Sequence, residues 1–171
     1  MKTLTKYLNE RLVVNKDYND PHTCTPASWE ELRKIIKDRY NKLGPGTKDT
    51  SIDFNDVDVS NIDSFYNKNI NNGIFDETAF EYIDISDWDV SNVKNMMGTF
   101  FGCKNLKSVG DLSNWNVSKV KNMNYMFYAC MQLKSVGDLS NWNVSKVKNT
   151  FGMFCMFNKS GITNIPDWYY R

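Results

Sequence analysis

One segment of twelve residues occurs three times and decides the fold: DISDWDVSNVKN at 84–95, DLSNWNVSKVKN at 111–122 and the same letters at 138–149. The tryptophans lie at positions 88, 115 and 142, so the repeat period is the same in both intervals. Self-similarity at a fixed period of this length is typical of repeat architectures, in which each unit buries its apolar side chains against its neighbours.

Two weaker copies flank the three clear ones. DFNDVDVSNI at 53–62 carries Val57 in the tryptophan place, and Trp168 follows Trp142 at nearly the same interval in a partial last copy. We therefore predict three parts: an extension or docking peptide at 1–20, a helical cap at 21–50 and a repeat domain at 51–171 with about 4.5 repeats.

Each unit divides into two kinds of pattern. The stretch 107–120 is rich in Val, Leu and Trp, which favours a strand followed by a turn. Met123, Met126, Phe127 and Cys130 follow at spacings that trace one face of a short helix. The sequence thus predicts an α/β repeat solenoid, built as a stack of strand–short helix units that share one core.

The pattern Trp-Asp/Asn-Val-Ser-x-Val-x-Asn-Met, followed by Met-Phe-x-x-Cys and a leucine, resembles the BspA-like leucine-rich-repeat family of surface proteins. The resemblance covers positions 52–168. It implies a right-handed, LRR-like stack and a role in adhesion or protein binding rather than catalysis. Thr99, Thr150 and Phe157 depart from the pattern, which predicts irregular helices in the first and third clear units.

A helix is predicted before the repeats. Ser28 can cap its start and Glu31 completes a capping box, while Gly44-Pro45-Gly46 ends it. This amphipathic helix is expected to cover the open end of the repeat core. Its apolar stripe consists of Trp29, Leu32, Ile35, Ile36, Tyr40 and Leu43.

The opening segment has a short apolar stripe of Leu4, Tyr7, Leu8 and Leu12. Two interpretations stay open: a segment that packs on the cap or is partly disordered, or a docking peptide that fixes the protein to a larger assembly. A stripe of this kind resembles the openings of proteins encoded by tailed phages.

Composition and charge exclude several classes of function. The chain has 21 basic and 20 acidic residues, and this balance predicts no nucleic-acid partner. The start has no apolar run typical of a signal peptide, and no run of about 18 apolar residues exists, so we expect no membrane insertion. These features favour a virion or the host cytoplasm over a self-secreted surface protein.

The sequence contains no catalytic arrangement. The one histidine, His22, lies outside the repeats, and there is no glycine-rich phosphate loop. No C-x-x-C pair occurs, and the row Asp84, Asp111, Asp138 is interpreted as side chains that accept turn N–H groups rather than as calcium ligands. We predict a non-enzymatic protein with no cofactor and no metal.

Two rows of residues are the candidates for binding. The tryptophans either face the core or form an exposed aromatic strip, and the lysines either face water or meet an acidic partner. We predict a protein-interaction or structural module that binds a partner protein through these rows, in a virion or on a surface. The alternative is a carbohydrate-binding adhesin that uses the tryptophan strip. The candidates are Trp88, Trp115, Trp142, Trp168 and Lys94, Lys121, Lys148, Lys119, Lys146.

Overall fold

The computed structural model describes residues 24–69, 72–76, 78–155 and 164–170. Its first helix, α1, spans Trp29–Leu43, and a 3₁₀ helix spans Asp167–Tyr170. The strands are short: β1 (Ile52–Asp53) pairs in parallel with β4 (Ile83–Asp84), and β2 (Tyr66–Asn67) pairs antiparallel with β3 (Asn72–Gly73).

The predicted fold class, an α/β repeat solenoid built as an LRR-like stack of strand–short helix units, is wrong. Within the described ranges the single α-helix, α1, precedes the repeats. The strands have two residues each and form two sheets of two strands. The segment 121–130, predicted to be a helix, contains turns and one bridge residue, Asn122, which pairs with both neighbouring repeats.

Backbone conformation explains why the helix does not form. Tyr125 and Ala129 have φ angles of 56° and 59°, in the left-handed region that a right-handed helix excludes. The N–H groups of Met126 and Cys130 bond three residues back, to Met123 and Phe127. The segment therefore forms two successive tight turns. These turns bury the same apolar side chains that a short helix would bury: Met123, Met126, Phe127 and Cys130.

Neighbouring repeats contact one another in register. Parallel bridges join Asn95 to Asn122 and Asn122 to Asn149, and Ser64 of the first weak copy to Asn95. In the turn segment alternate N–H groups donate to a carbonyl in the matching turn of the next repeat, as Tyr125 does to Phe151 at 3.0 Å. The repeat period of the sequence is thus expressed as side-by-side turns.

Two rows of aromatic rings fill the core. Phe75, Phe100, Phe127 and Phe154 stack with centroid separations of 5.1, 5.2 and 5.7 Å. The Trp115 and Trp142 rings are nearly parallel at 6.4 Å, and each tryptophan Nε1 donates to a backbone carbonyl of the preceding repeat.

Helix α1 has the predicted bounds. Ser28 accepts the N–H of Glu31 at 3.2 Å, and Gly44 ends the helix with φ of 76°. Leu32 and Ile36 are fully buried in the repeat core. The buried Arg33 guanidinium donates to the carbonyls of Ile74 and Asp76 and so fixes the chain after β3.

Replacing Trp142 by phenylalanine is expected to lower the free energy of unfolding by about 2 kcal/mol. About 1 kcal/mol comes from the lost Nε1–H bond to Leu112, 2.9 Å long, and the rest from the smaller ring. Urea unfolding followed by circular dichroism measures the loss. Trp29→Phe is the comparison: its half-buried indole also donates an Nε1–H bond, to Phe65, but at 3.3 Å, so a smaller loss is expected there. An equal loss would contradict the expectation.

Candidate functional site

The predicted tryptophan strip lies inside the molecule. Trp88, Trp115 and Trp142 are only 3–4% exposed, and Trp168 is half-buried with its Nε1 donating to Leu139 at 2.8 Å. The structure brings these side chains together in register, but three of the four indoles do not reach the surface.

The five predicted lysines are all exposed. Lys94 forms an ion pair with Asp63 at 3.2 Å, and Lys119 donates to Asn92 Oδ1 at 2.7 Å. The backbone bonds of Lys121 to Lys94 and of Lys148 to Lys121, 2.8 and 2.9 Å long, place the lysines on successive repeats side by side. The candidate docking residues Leu4, Tyr7, Leu8 and Leu12 lie outside the described residues.

The carboxylate row behaves as predicted for turn capping. Asp111 and Asp138 each accept the N–H of the serine two residues on, at 2.9 Å. Burial of Asp84 acts to raise the pKa of its carboxyl group, but hydrogen bonds from the Ser86 hydroxyl and N–H outweigh it and lower the pKa.

Sequence reasoning missed a cluster of exposed and half-buried side chains, five aromatic residues and one methionine, most of which lie on the turn segments. Phe101 and Phe151 are 41% and 72% exposed, the largest exposures of any Phe in the described residues. We call the cluster the aromatic patch; it consists of Tyr66, Met97, Phe101, Tyr125, Tyr128 and Phe151.

Tyr125 lies at the centre of this patch. Its ring meets Phe101, Tyr128 and Phe151 edge to face, with centroid distances of 6.3, 5.5 and 5.5 Å. The Phe101 and Tyr128 rings stack at 5.1 Å. Edge-to-face and offset pairs at such distances hold each other in place, so the patch is a preformed surface rather than a set of independent side chains.

The patch borders a concave pocket of about 380 Å³. This volume is at the lower end of the range of roughly 300–1,000 Å³ typical of ligand sites. Asp76 and the backbone of Gly73 and Gly98 complete the wall, and the Arg33 bonds to Ile74 and Asp76 hold that wall against α1.

The backbone at Tyr125 is strained. Gly98 and Gly152 occupy the same place in the neighbouring repeats, with φ of 59° and 65°, and Tyr125 adopts 56° there. The left-handed conformation costs a residue other than glycine roughly 1–2 kcal/mol. A Cβ atom on Gly152 would lie 2.7 Å from Tyr125 Cδ1, so the ring covers the glycine turn of the next repeat.

A family model described as "Mycoplasma protein of unknown function, DUF285" matches residues 47–168. The chain belongs to this family. The match includes the tryptophan row and the aromatic patch and leaves out helix α1. No curated protein and no solved structure matches the chain.

No helix among the described residues of this DUF285 protein has the length and apolar character needed to cross a bilayer.

Two cysteines of this DUF285 protein are buried in its core. Burial raises the pKa of the Cys103 thiol to about 12 and that of Cys130 well above its usual value. Both thiols are therefore protonated at neutral pH, and they donate to the backbone carbonyls of Phe75 and Phe100 in the preceding repeat.

The aromatic patch of this DUF285 chain had a sequence signal, although a weak one. Tyr125 stands where the other two clear repeats have glycine, and Tyr128 and Phe101 share one repeat position that Cys155 fills in the next. Residues at core positions recur from repeat to repeat. An aromatic residue at a repeat position that is not aromatic in every copy therefore indicates a surface position.

We expect the variant Tyr125→Gly to be more stable than Tyr125→Ala, by about 1–2 kcal/mol in the free energy of unfolding. Both variants lose the ring, but only glycine relieves the left-handed strain. Guanidinium unfolding of the two variants measures the difference. An alanine variant as stable as the glycine variant would mean that the backbone at 125 is not strained.

Proposed function

We propose that this DUF285 protein is a non-enzymatic protein-interaction module whose aromatic patch anchors a partner protein. The observation that carries the proposal is the position of Tyr125. Its backbone has the left-handed conformation that neighbouring repeats assign to glycine, and its half-buried ring lies between the exposed rings of Phe101 and Phe151. Strained residues of this kind persist where the surrounding structure and the function require them.

The chemistry of the patch suits a protein partner. Tyrosine, phenylalanine and methionine are enriched at the centres of protein interfaces, where rigid rings bury a large area at low entropic cost. Phe151 projects furthest, 72% exposed, and its backbone N–H is fixed by Asn124 Oδ1 at 2.8 Å. A partner side chain that enters the pocket beside Tyr125 and Tyr128 would displace water from an apolar wall.

A protein partner fits the patch better than a sugar ring. Sugar recognition by aromatic residues uses open ring faces, and the Phe101 and Tyr128 faces cover one another at 5.1 Å. The tryptophan strip that the carbohydrate alternative requires is 3–4% exposed at Trp88, Trp115 and Trp142.

The location at which the protein acts is also part of the proposal. The repeat pattern resembles BspA-like surface proteins, and this supports a role at a surface, where the module would hold two proteins together. A place in a phage particle is supported only by the opening stripe of Leu4, Tyr7, Leu8 and Leu12, which resembles the openings of tailed-phage proteins. The exposed lysine rows beside the tryptophan core are available to a second contact.

A displayed library of short peptides, selected on the immobilised wild-type protein, tests the proposal. Selected peptides are expected to lose affinity by about 30-fold or more on the double variant Tyr125→Gly, Phe151→Ser, since anchors of this kind contribute about 2 kcal/mol or more. Tyr170→Ser is the matched control, because Tyr170 is also 72% exposed but lies outside the patch.

An oligosaccharide array probed with the same proteins supplies the opposing outcome. Peptides that bind the double variant as well as the wild type would contradict the proposal. Glycan binding that the double variant loses would also contradict it, because the patch would then serve a sugar.

A further inference from the structure

A row of surface residues beside the pocket runs from a carboxylate to two aromatic rings. Each member directly follows a phenylalanine of the core: Asp76 after Phe75, Phe101 after Phe100 and Tyr128 after Phe127. The three core rings stack in this order, with centroids 5.1 and 5.2 Å apart, and the backbone of each copy bonds to that of the next. This register places the carboxylate on the first of three successive copies and the two rings on the second and third.

Two glycines leave the space that forms the pocket. Gly73 and Gly98 lie two residues before a core phenylalanine, at the place that Tyr125 fills in the following copy. Because a Cβ atom on Gly73 would overlap the Gly98 carbonyl oxygen, the two backbones approach closely and contribute no side chain there. The Tyr125 ring bounds the pocket at the next copy, and Tyr66 and Met97 also line it.

The charges around the pocket are unevenly placed. Asp76 is half-buried, and it is the one charged side chain among the described residues that line the pocket. Arg33 is only 6% exposed; its guanidinium donates to the Asp76 carbonyl but does not line the pocket. The charge of Arg33 offsets that of Asp76 at a distance, but a group inside the pocket meets the carboxylate first.

The Phe101 ring has one open face, and that face is turned toward the copy that carries the carboxylate. Tyr128, on the following copy, stacks on Phe101 at 5.1 Å with 8° between the ring planes, so it covers the opposite face. The open face therefore lies on the side of Asp76, and both residues line the same pocket. The face of an aromatic ring attracts cations within about 6 Å of its centroid, and a carboxylate attracts them as well.

We propose that this pocket binds a basic side chain of the partner protein, arginine or lysine. The inference rests on the proposed function, because it specifies which side chain of the partner enters beside the aromatic patch. The charged group of that side chain would lie between the Asp76 carboxylate and the open face of Phe101. Its methylene stem would lie against Met97 and the tyrosine rings, in the way that long basic side chains cover apolar surface.

The Asp76 carboxylate favours a basic side chain in the pocket over an apolar one. An apolar group would remove water from the carboxylate and return no hydrogen bond, which costs free energy. A guanidinium or ammonium group instead donates hydrogen bonds to it. Arginine is expected to bind more tightly than lysine, since its planar group both stacks on a ring and pairs with a carboxylate through two parallel bonds.

Two libraries of short displayed peptides, selected on the full chain, test the inference. One library has arginine and the other has leucine fixed at the central position, with random residues elsewhere. Peptides that lose affinity on the double variant Tyr125→Gly, Phe151→Ser are retained, because they use the aromatic patch. The arginine library is expected to yield most of the retained peptides and the tightest of them.

Citrulline in place of the central arginine tests the charge without any change to the protein. Citrulline is neutral and has nearly the same shape, so the retained arginine peptides are expected to bind about tenfold more weakly with it. These arginine peptides are also expected to lose about tenfold on Asp76→Asn and about threefold on Phe101→Leu, which removes the ring face but keeps an apolar side chain. The citrulline peptides are expected to bind Asp76→Asn as well as the wild type.

Asp87→Asn is the matched control for Asp76→Asn. It makes the same change of charge at an exposed place outside the pocket, where the next two copies have Asn114 and Asn141. This control is expected to bind the arginine peptides like the wild type.

The outcomes separate this inference from the proposed function. Retained peptides that bind equally well with arginine and with citrulline would overturn the inference and leave the proposed function in place. Leucine peptides that are retained in equal number and bind as tightly would do the same. If neither library yields a peptide that depends on the aromatic patch, the proposed function fails and this inference fails with it.

Discussion

Replacing Phe127 by alanine is expected to lower the free energy of unfolding by about 3–5 kcal/mol. The ring is fully buried and stacks between Phe100, at 5.2 Å, and Phe154, at 5.7 Å. Alanine would leave a cavity in the middle of the row, and the side-by-side turns cannot close it, because the Phe127 N–H is fixed to Met153 at 3.0 Å. Denaturant unfolding followed by tryptophan fluorescence measures the loss.

Phe151→Ala provides the comparison. This ring is 72% exposed, so its removal is expected to change the free energy of unfolding by about 0.5 kcal/mol or less. If both alanine variants lost similar amounts, the assignment of one phenylalanine to the core and the other to the surface would be refuted.

The second large effect is expected at Gly73, where alanine should cost about 3 kcal/mol. A Cβ atom built there overlaps the carbonyl oxygen of Gly98 and lies 3.0 Å from the Thr99 Cα, and both contacts are backbone atoms that cannot move aside. The strand β3 would have to shift away from the next repeat, which would open the pocket wall beside the patch. Thermal unfolding of Gly73→Ala measures the cost.

Gly102→Ala separates two effects of replacing a glycine in this chain: a steric clash of the new Cβ atom, as at Gly73, and the cost of a left-handed backbone. Nothing lies within 4 Å of a Cβ atom at Gly102, but its φ is 70°. The expected cost is therefore the conformational one alone, about 1–2 kcal/mol. A cost at Gly102 equal to or above that at Gly73 would contradict the close approach of the two backbones.

Much of the local structure could be predicted from the sequence. The constant repeat period identified the side chains that meet across repeats, and helix α1 begins and ends at the cap residues Ser28 and Gly44 that its sequence indicates. Short-range signals suffice there because caps and glycine stops act within a few residues.

The wrong fold class has a specific cause. The spacing of Met123, Met126, Phe127 and Cys130 satisfies a helix and a pair of tight turns equally well. The choice between them depends on N–H groups that bond to a carbonyl of the next repeat, as Phe127 does to Met153, and periodicity within one repeat does not contain that information.

The candidate site was harder to predict than the core. The sequence of a repeated tryptophan does not indicate whether its indole faces the core or the solvent. The hydrogen bond from Trp115 Nε1 to the Ile85 carbonyl, which holds the indole inward, is visible only in the structure. The aromatic patch joins Phe101, Tyr125 and Phe151, which lie in three successive repeats but at three different repeat positions, so the sequence gives only a weak signal that groups them.

Hydroxyl-radical footprinting read by mass spectrometry tests the central claim, that the turns place the tryptophan row inside and the aromatic patch outside. Phe151 and Phe101 are expected to be oxidised fastest, followed by Tyr125 and Tyr128, with Trp115, Trp142 and Phe127 protected until the protein unfolds. Oxidation of Trp115 and Trp142 at rates like that of Phe151 in the folded protein would contradict the account.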